Sequence, residues 1–191
     1  MHLEDGTVLH LYRQTMEDFG VYAGREYSEE EWDSLIRSAS HLSAKMRAVR
    51  IVSATNVSKG DLERRLIQKG EDPKEARSAV AWMEDMQLLD DGRMAKQVVE
   101  HCAAKGYGIS RAKQALYEKR IPKQYWEEAL ADYPDQTEAI VAFLQSRLGE
   151  HWEQKDLRKA IDALMRRGHT YSQIRQGVSR LSPGEDFPEE M

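Results

Sequence analysis

Three stretches of the sequence decide the fold: LERRLIQKG at 62–70, AKQALYEKR at 112–120 and AIDALMRRG at 160–168. They align at successive offsets of 50 and 48 residues. In each stretch the first and fifth residues are apolar, a spacing that places both on one face of a helix. Each stretch also ends on a basic residue followed by glycine or arginine. A pattern that recurs at a nearly fixed period is typical of a repeat protein.

A second apolar stripe follows each stretch with i, i+4, i+7 spacing, which predicts another helix. Its members are Ala76, Val80 and Met83, then Trp126, Leu130 and Tyr133, then Ile174, Val178 and Leu181. Each unit also has room for a leading helix, over 46–52, 94–102 and 139–148. Ser58, Ser110 and Asp72 with Pro73 are typical helix starts, and Gly70 and Gly168 typical helix ends. Each unit is therefore predicted to hold three helices.

The N-terminal segment differs from the repeats. Asp5-Gly6 precedes the short apolar run from Val8 to Leu11, which predicts a short strand or hairpin. Ser28 and Glu31 form a capping-box pattern that predicts a helix start. The predicted fold is all-α, an elongated array of three tandem three-helix repeats with a small N-terminal extension of a short strand or hairpin plus a helix. We expect the extension at 1–43, repeats 1 to 3 at 44–89, 90–135 and 136–182, and a disordered acidic tail at 183–191.

Composition narrows the class of protein. Of the 191 residues, 32% are charged and 40% apolar, and no apolar stretch approaches the roughly 20 residues that a membrane-spanning helix needs. The first residues lack the basic start and apolar run of an export signal. The single cysteine, Cys102, excludes an intramolecular disulfide and a Cys-rich zinc module. We expect a cytoplasmic protein without a membrane partner.

Basic residues concentrate on the middle helix of each repeat, although the net charge is −5. If the repeats stack side by side, these helices line up as one basic strip. The strip suits either acidic side chains of a protein partner or the phosphates of a nucleic acid. The alternative is a set of solvated helix faces joined by i, i+4 ion pairs. The candidate contact residues are Arg64, Arg65, Lys69, Lys105, Tyr107, Arg111, Lys113, Lys119, Arg120, Arg158, Lys159, Arg166 and Arg167.

No catalytic pattern occurs in the sequence. Gly106 and Gly108 lack the preceding strand and the Gly-Lys-Ser/Thr ending of a phosphate-binding loop. The six histidines are scattered, and His101 beside Cys102 points to a different helix face. We expect no enzymatic activity, no cofactor, no metal and no small-molecule substrate.

Two further segments carry a family resemblance, LLDDGRMA at 88–95 and KGYGISR at 105–111. Together with 62–70 they resemble the RecX family, the small bacterial regulators of the RecA recombinase, over roughly 47–181. Three residues depart from the family's pattern: Met94 replaces an aromatic residue, Arg120 a helix-ending glycine, and His169 a Phe or Tyr.

The resemblance implies a non-enzymatic regulator of DNA repair that lies in the groove of the RecA filament on single-stranded DNA. Recombinase, ATPase and co-protease activities would fall as the filament is blocked or disassembled. We expect a monomer whose partner is the RecA filament, with accessory contacts to single- or double-stranded DNA. Two alternatives stay open, a helix-turn-helix-like DNA regulator and a generic helical-repeat adaptor. The acidic net charge and the lack of one dominant basic recognition helix disfavour the DNA regulator.

Overall fold

The computed structural model describes residues 1–3, 6, 8–149 and 152–181. Over these residues the fold is α-helical, and the all-α repeat fold predicted from the sequence is confirmed. At the N-terminus, where a short strand or hairpin was predicted, His2 and Val8 form a single antiparallel bridge. The described ranges contain no strand beyond this bridge. The predicted turn residue Asp5 and the predicted tail at 183–191 lie outside them. Among the described helices, none has both the length and the apolar character to span a bilayer.

The helices follow one another with short connections. Their bounds are α1 Arg13–Asp18, α2 Glu29–Ala54, α3 Lys59–Gln68, α4 Pro73–Asp85, α5 Asp91–Ala104, α6 Ile109–Glu118, α7 Trp126–Leu130, α8 Thr137–Leu148, α9 Gln154–Arg166 and α10 Tyr171–Leu181, with a 3-10 helix at Lys123–Tyr125 before α7. The chain divides into two compact units, Met1–Asp90 with α1 to α4 and Asp91–Met191 with α5 to α10.

The longest helix, α2, joins the N-terminal extension to repeat 1. Its first turn is closed by the predicted capping box: the Ser28 hydroxyl accepts from the Glu31 amide at 3.2 Å, and the Glu31 carboxylate accepts from the Ser28 amide at 2.9 Å. From there the sequence contains neither Gly nor Pro up to Ala54, so nothing interrupts the helix. The expected boundary between residues 43 and 44 therefore falls inside a continuous helix.

Three clusters of buried apolar side chains form the cores. The first spans 44–89 and joins α2, α3 and α4; the second, of α5, α6 and α7, spans 94–133; the third, of α8, α9 and α10, spans 140–181. The i, i+4 pairs of the middle helices are fully buried, as in Leu62 with Leu66 and Ala160 with Leu164. Each cluster lies within one of the predicted repeats.

Two local predictions need correction. Ser58 and Asp72 cap α3 and α4 as predicted, through bonds to the amides of Asp61 and Lys74, but Ser110 does not cap α6. That helix begins at Ile109, two residues earlier than a Ser110 cap would predict, and uses Gly108 as its N-cap. The third helix of repeat 2 is only α7, Trp126–Leu130, because Pro122 and Pro134 bound the segment on both sides.

The three middle helices end in the same turn. Gly70, Arg120 and Gly168 adopt left-handed φ angles of 90°, 55° and 87°. The amide of the next residue then bonds to a carbonyl five residues back, as it does in Glu71 to Leu66, Ile121 to Leu116 and His169 to Leu164 at 3.1 to 3.2 Å. This pairing is the Schellman motif, which satisfies carbonyls at a helix end.

Candidate partner-binding surfaces

The two arginines of α3 are paired with a carboxylate of their own helix. Asp61, a buried residue, accepts from Arg64 Nη2 at 2.7 Å and from Arg65 Nε at 2.8 Å. Lys69 is exposed at the helix end, and its carbonyl accepts from Arg47 Nη1 at 3.1 Å. Helix α3 therefore presents less net positive charge than its count of bases implies. The missed signal was the i, i+3 and i, i+4 spacing of Asp61 to the two arginines.

Helix α6 exposes more of its positive charge. Lys113, Lys119 and Arg120 are all exposed, the last two at the helix end. Arg111 is half-buried and pairs with the Glu118 carboxylate at 3.1 Å. Lys105 is exposed after α5. Lys113 lies on α6 itself, whereas Arg120 lies in the turn that ends the helix.

Helix α9 carries the third group of candidate residues. Arg158 and Arg166 are exposed, and Lys159 Nζ lies 3.3 Å from Asp156 Oδ1. Arg167 is half-buried, with its guanidinium carbon 4.4 Å from the centroid of the Phe143 ring. That cation–π contact holds Arg167 against its own repeat.

The loop at 105–108 connects α5 to α6 and packs against repeat 3 within the second unit. The Gly108 amide donates to the Arg167 carbonyl at 2.9 Å, and the Tyr107 carbonyl accepts from the Tyr133 hydroxyl at 2.7 Å. A Cβ on Gly108 would lie 2.0 Å from the Gly168 carbonyl oxygen, which explains why glycine caps α6. Among the candidate residues, Tyr107, Arg111 and Arg167 meet at this junction. Tyr107 is half-buried there, 6.0 Å from the Arg167 guanidinium.

His169 completes the junction from the repeat 3 side. It is 3% exposed, and its Nε2 lies 3.0 Å from the Gly106 carbonyl oxygen, so Nε2 is the protonated nitrogen that donates. Nδ1 is buried without a hydrogen-bond partner. Burial, followed by the charge of Arg167, lowers the pKa of His169. His169, which stands where the family's pattern has Phe or Tyr, is therefore held in its neutral form.

Two other groups in the second unit have shifted pKa values. Burial raises the pKa of the Cys102 thiol, and it raises the pKa of Tyr133 to about 12. Both shifts favour the neutral form, so neither side chain has the character of an activated nucleophile. Among the described residues, no three His, Cys, Asp or Glu side chains gather as metal ligands.

Known proteins provide the comparison for these surfaces. The family model described as "RecX, second three-helix domain" matches residues 90–130. A regulatory protein RecX from Xanthomonas axonopodis pv. citri (strain 306) is 32% identical over 132 residues, which cover 68% of this chain and 82% of that protein. A regulatory protein RecX from Vibrio parahaemolyticus serotype O3:K6 is 28% identical over 146 residues, 75% of this chain and 94% of that protein.

Solved structures agree on the fold. A crystal structure of regulatory protein RecX aligns with a TM-score of 0.67 at 17% identity, over 91% of this chain and 89% of that chain. The crystal structure of RecX from Lactobacillus salivarius aligns with a TM-score of 0.65 at 20% identity, over 75% of this chain and 97% of that chain. Given the matching second domain and the 32% identity to a regulatory protein RecX over most of its length, the chain belongs to the RecX family.

Proposed function

We propose that this protein binds the RecA filament on single-stranded DNA in the cytoplasm and lowers its activity without chemistry of its own. Membership of a family of regulatory proteins supports a regulatory role. The main support for a contact surface is the exposed positive charge of α6 and α9. Carboxylates on a protein filament would complement that charge and set the orientation of binding.

The ion pairs rank the candidate contact residues. Arg64 and Arg65 share Asp61, and Arg111 is paired with Glu118, so we assign these arginines chiefly to their own repeats. Tyr107 and Arg167 are likewise half-buried at the junction of repeats 2 and 3. Lys159 pairs with Asp156 in the same way. The residues proposed to meet the filament most directly are therefore the exposed bases Lys69, Lys105, Lys113, Arg120, Arg158 and Arg166.

Binding in the filament groove would act by obstruction. A chain that bridges neighbouring RecA protomers blocks the movement and addition of protomers, so recombinase, ATPase and co-protease activities fall together. Electrostatic contacts of this kind mainly raise the association rate and fix the register. The inhibition is therefore expected to weaken as salt concentration rises.

The test is ATP hydrolysis by RecA on single-stranded DNA with substoichiometric amounts of this protein. We expect the unaltered protein to lower the rate, and the double variant Lys113→Glu with Arg120→Glu to lose most of that effect. Lys74→Glu is the control for charge reversal, because Lys74 is also exposed but lies on α4 outside the middle helices.

Two results would count against the proposal. Full inhibition by the double variant would remove α6 from the contact surface. If the unaltered protein is folded by circular dichroism yet has no effect on RecA, the regulatory target is wrong. Sequence-specific binding to duplex DNA in the absence of RecA would then favour a DNA regulator.

A further inference from the structure

One position of the repeat exposes an apolar side chain in all three copies. Ile67, Tyr117 and Met165 are 39%, 72% and 47% exposed. Each lies three residues before the left-handed residue that ends its helix, and each carbonyl accepts from that residue's amide at 2.9 Å. The three side chains therefore leave equivalent points on three equivalent helix ends.

Ordinary packing does not account for these side chains. The core face of each middle helix is already occupied by the buried i, i+4 pair, such as Leu62 with Leu66, which faces away from position 67. Single exposed apolar residues are common on protein surfaces and need no explanation. Here, however, an exposed apolar side chain occurs at the same structural position in all three repeats. Such a recurrence is not expected of randomly placed surface residues.

The neighbouring bases have a simpler explanation than the apolar residues. Positive side chains near a helix C-terminus interact favourably with the helix dipole, and Lys69, Lys119 and Arg167 are the C-cap residues of α3, α6 and α9. An exposed Ile, Tyr or Met gains nothing from that dipole. The apolar residues are thus the stronger indication of a contact with another molecule.

We propose that Ile67, Tyr117 and Met165 are anchor residues, each of which enters an apolar pocket on a partner built of repeated protein subunits. This inference rests on the proposed function and names contact residues for it. Protein interfaces commonly hold a few large apolar or aromatic anchors surrounded by charged residues. Bases lie within one turn of each anchor, so the pockets would be bordered by carboxylates.

The type of partner follows from the anchors themselves. Three copies of one anchor fit a partner that presents one pocket several times, as a homopolymer does. A nucleic acid fits less well, because bases stack on aromatic rings and of the three only Tyr117 has one. Tyr117 also borders a groove lined by Ile121, Pro122 and Trp126, which offers the partner a further apolar contact.

The experiment measures the concentration that half-inhibits RecA ATP hydrolysis on single-stranded DNA. The variants are Ile67→Ser, Tyr117→Ser and Met165→Ser, alone and combined. Met86→Ser is the matched control, because Met86 is 57% exposed but ends α4 rather than a middle helix. We expect about a tenfold rise for Tyr117→Ser, smaller rises for the other single variants, and more than about a hundredfold for the triple variant, since an anchor contributes over 1 kcal/mol.

Each other result has a distinct meaning. Inhibition by the triple variant at the unaltered concentration would overturn the anchor assignment and leave the proposed function standing. An equal loss in Met86→Ser would overturn it too, because any exposed apolar residue would then suffice. If Tyr117→Ser binds single-stranded DNA more weakly in the absence of RecA, Tyr117 stacks on bases and the anchor assignment is overturned. Absence of inhibition by the unaltered protein would overturn the proposed function and this partner with it.

Discussion

The turns that close α6 and α9 have the same backbone conformation, but they tolerate different residues. In the α6 turn the left-handed residue is Arg120, whose side chain is exposed. In the α9 turn it is Gly168, where a Cβ would lie 2.3 Å from the Arg111 amide nitrogen and 2.7 Å from the Arg111 Cβ. Glycine is preferred in the first turn and required in the second.

The difference separates two reasons for glycine at a helix end. A side chain in the left-handed region costs roughly 1–2 kcal/mol wherever it occurs. Contact with a neighbouring backbone adds a cost that depends on what packs there. Gly70 shows the first reason alone, because its φ is 90° and no atom of the described residues lies within 4 Å of the place that a Cβ would take. Gly168 combines both reasons, since repeat 2 packs against its turn.

The largest predicted loss of stability comes from a substitution in the turn that ends α9. We expect Gly168→Ala to lower the free energy of unfolding by about 3 kcal/mol, because the strain of the left-handed residue and the clash with Arg111 add together. Gly70→Ala is the matched control and is expected to lose only about 1 kcal/mol. Urea denaturation of both variants measures the difference; equal losses would show that the junction relaxes to accept a Cβ.

A pH-dependent effect comes next and concerns the residue after Gly168. The pKa of His169 in the folded chain lies below its ordinary value of 6.5. Below that value the unfolded chain takes up a proton that the folded chain excludes, so stability falls as the pH falls. The loss is at most about 1.4 kcal/mol per pH unit for one proton.

His169→Phe removes this titration and supplies a side chain usual in the family. We expect the unfolding free energy of the variant to fall less than that of the unaltered protein between pH 7 and pH 5. Denaturation curves at several pH values provide the measurement, and the other titrating groups cancel in the difference. Parallel pH profiles would mean that His169 accepts its proton in the folded state.

The smallest predicted effect is a gain at the α6 turn. Arg120→Gly relieves the left-handed strain and removes a side chain that is exposed. We expect stability to rise by about 1 kcal/mol, measured by urea denaturation. A loss instead would show that the Arg120 side chain stabilises the turn by more than its backbone strain costs.

The repeat was predictable from sequence because its signals are local. Helix faces follow from i, i+4 spacing, and caps such as Ser28, Asp72 and Gly70 act within a few residues of themselves. The Arg120 turn was predictable for the same reason. Ser110 failed as a cap because the close approach of Gly168 to Gly108 selects glycine, and that neighbour is 60 residues away in the chain. Contacts between repeats leave little trace in a local pattern.

The candidate surface was predictable only as a list of bases. The spacing of Asp61 to Arg64 and Arg65 already favours their ion pairs. The sequence does not show that Phe143 holds Arg167, because that contact depends on side-chain directions. The anchor position was visible in principle, since Ile67, Tyr117 and Met165 align at the repeat offsets. Only the exposure of those side chains distinguishes an anchor from a core residue.

The buried thiol of α5 makes this protein convenient for fluorescence work. Cys102 is the single cysteine of the sequence and is 4% exposed, and burial raises its pKa. Maleimide dyes react with the thiolate, so Cys102 is a poor target for them. A cysteine introduced at exposed Ser110 would take the dye selectively without replacing the native one. The proposed arrival of single labelled molecules on a RecA filament then becomes directly testable.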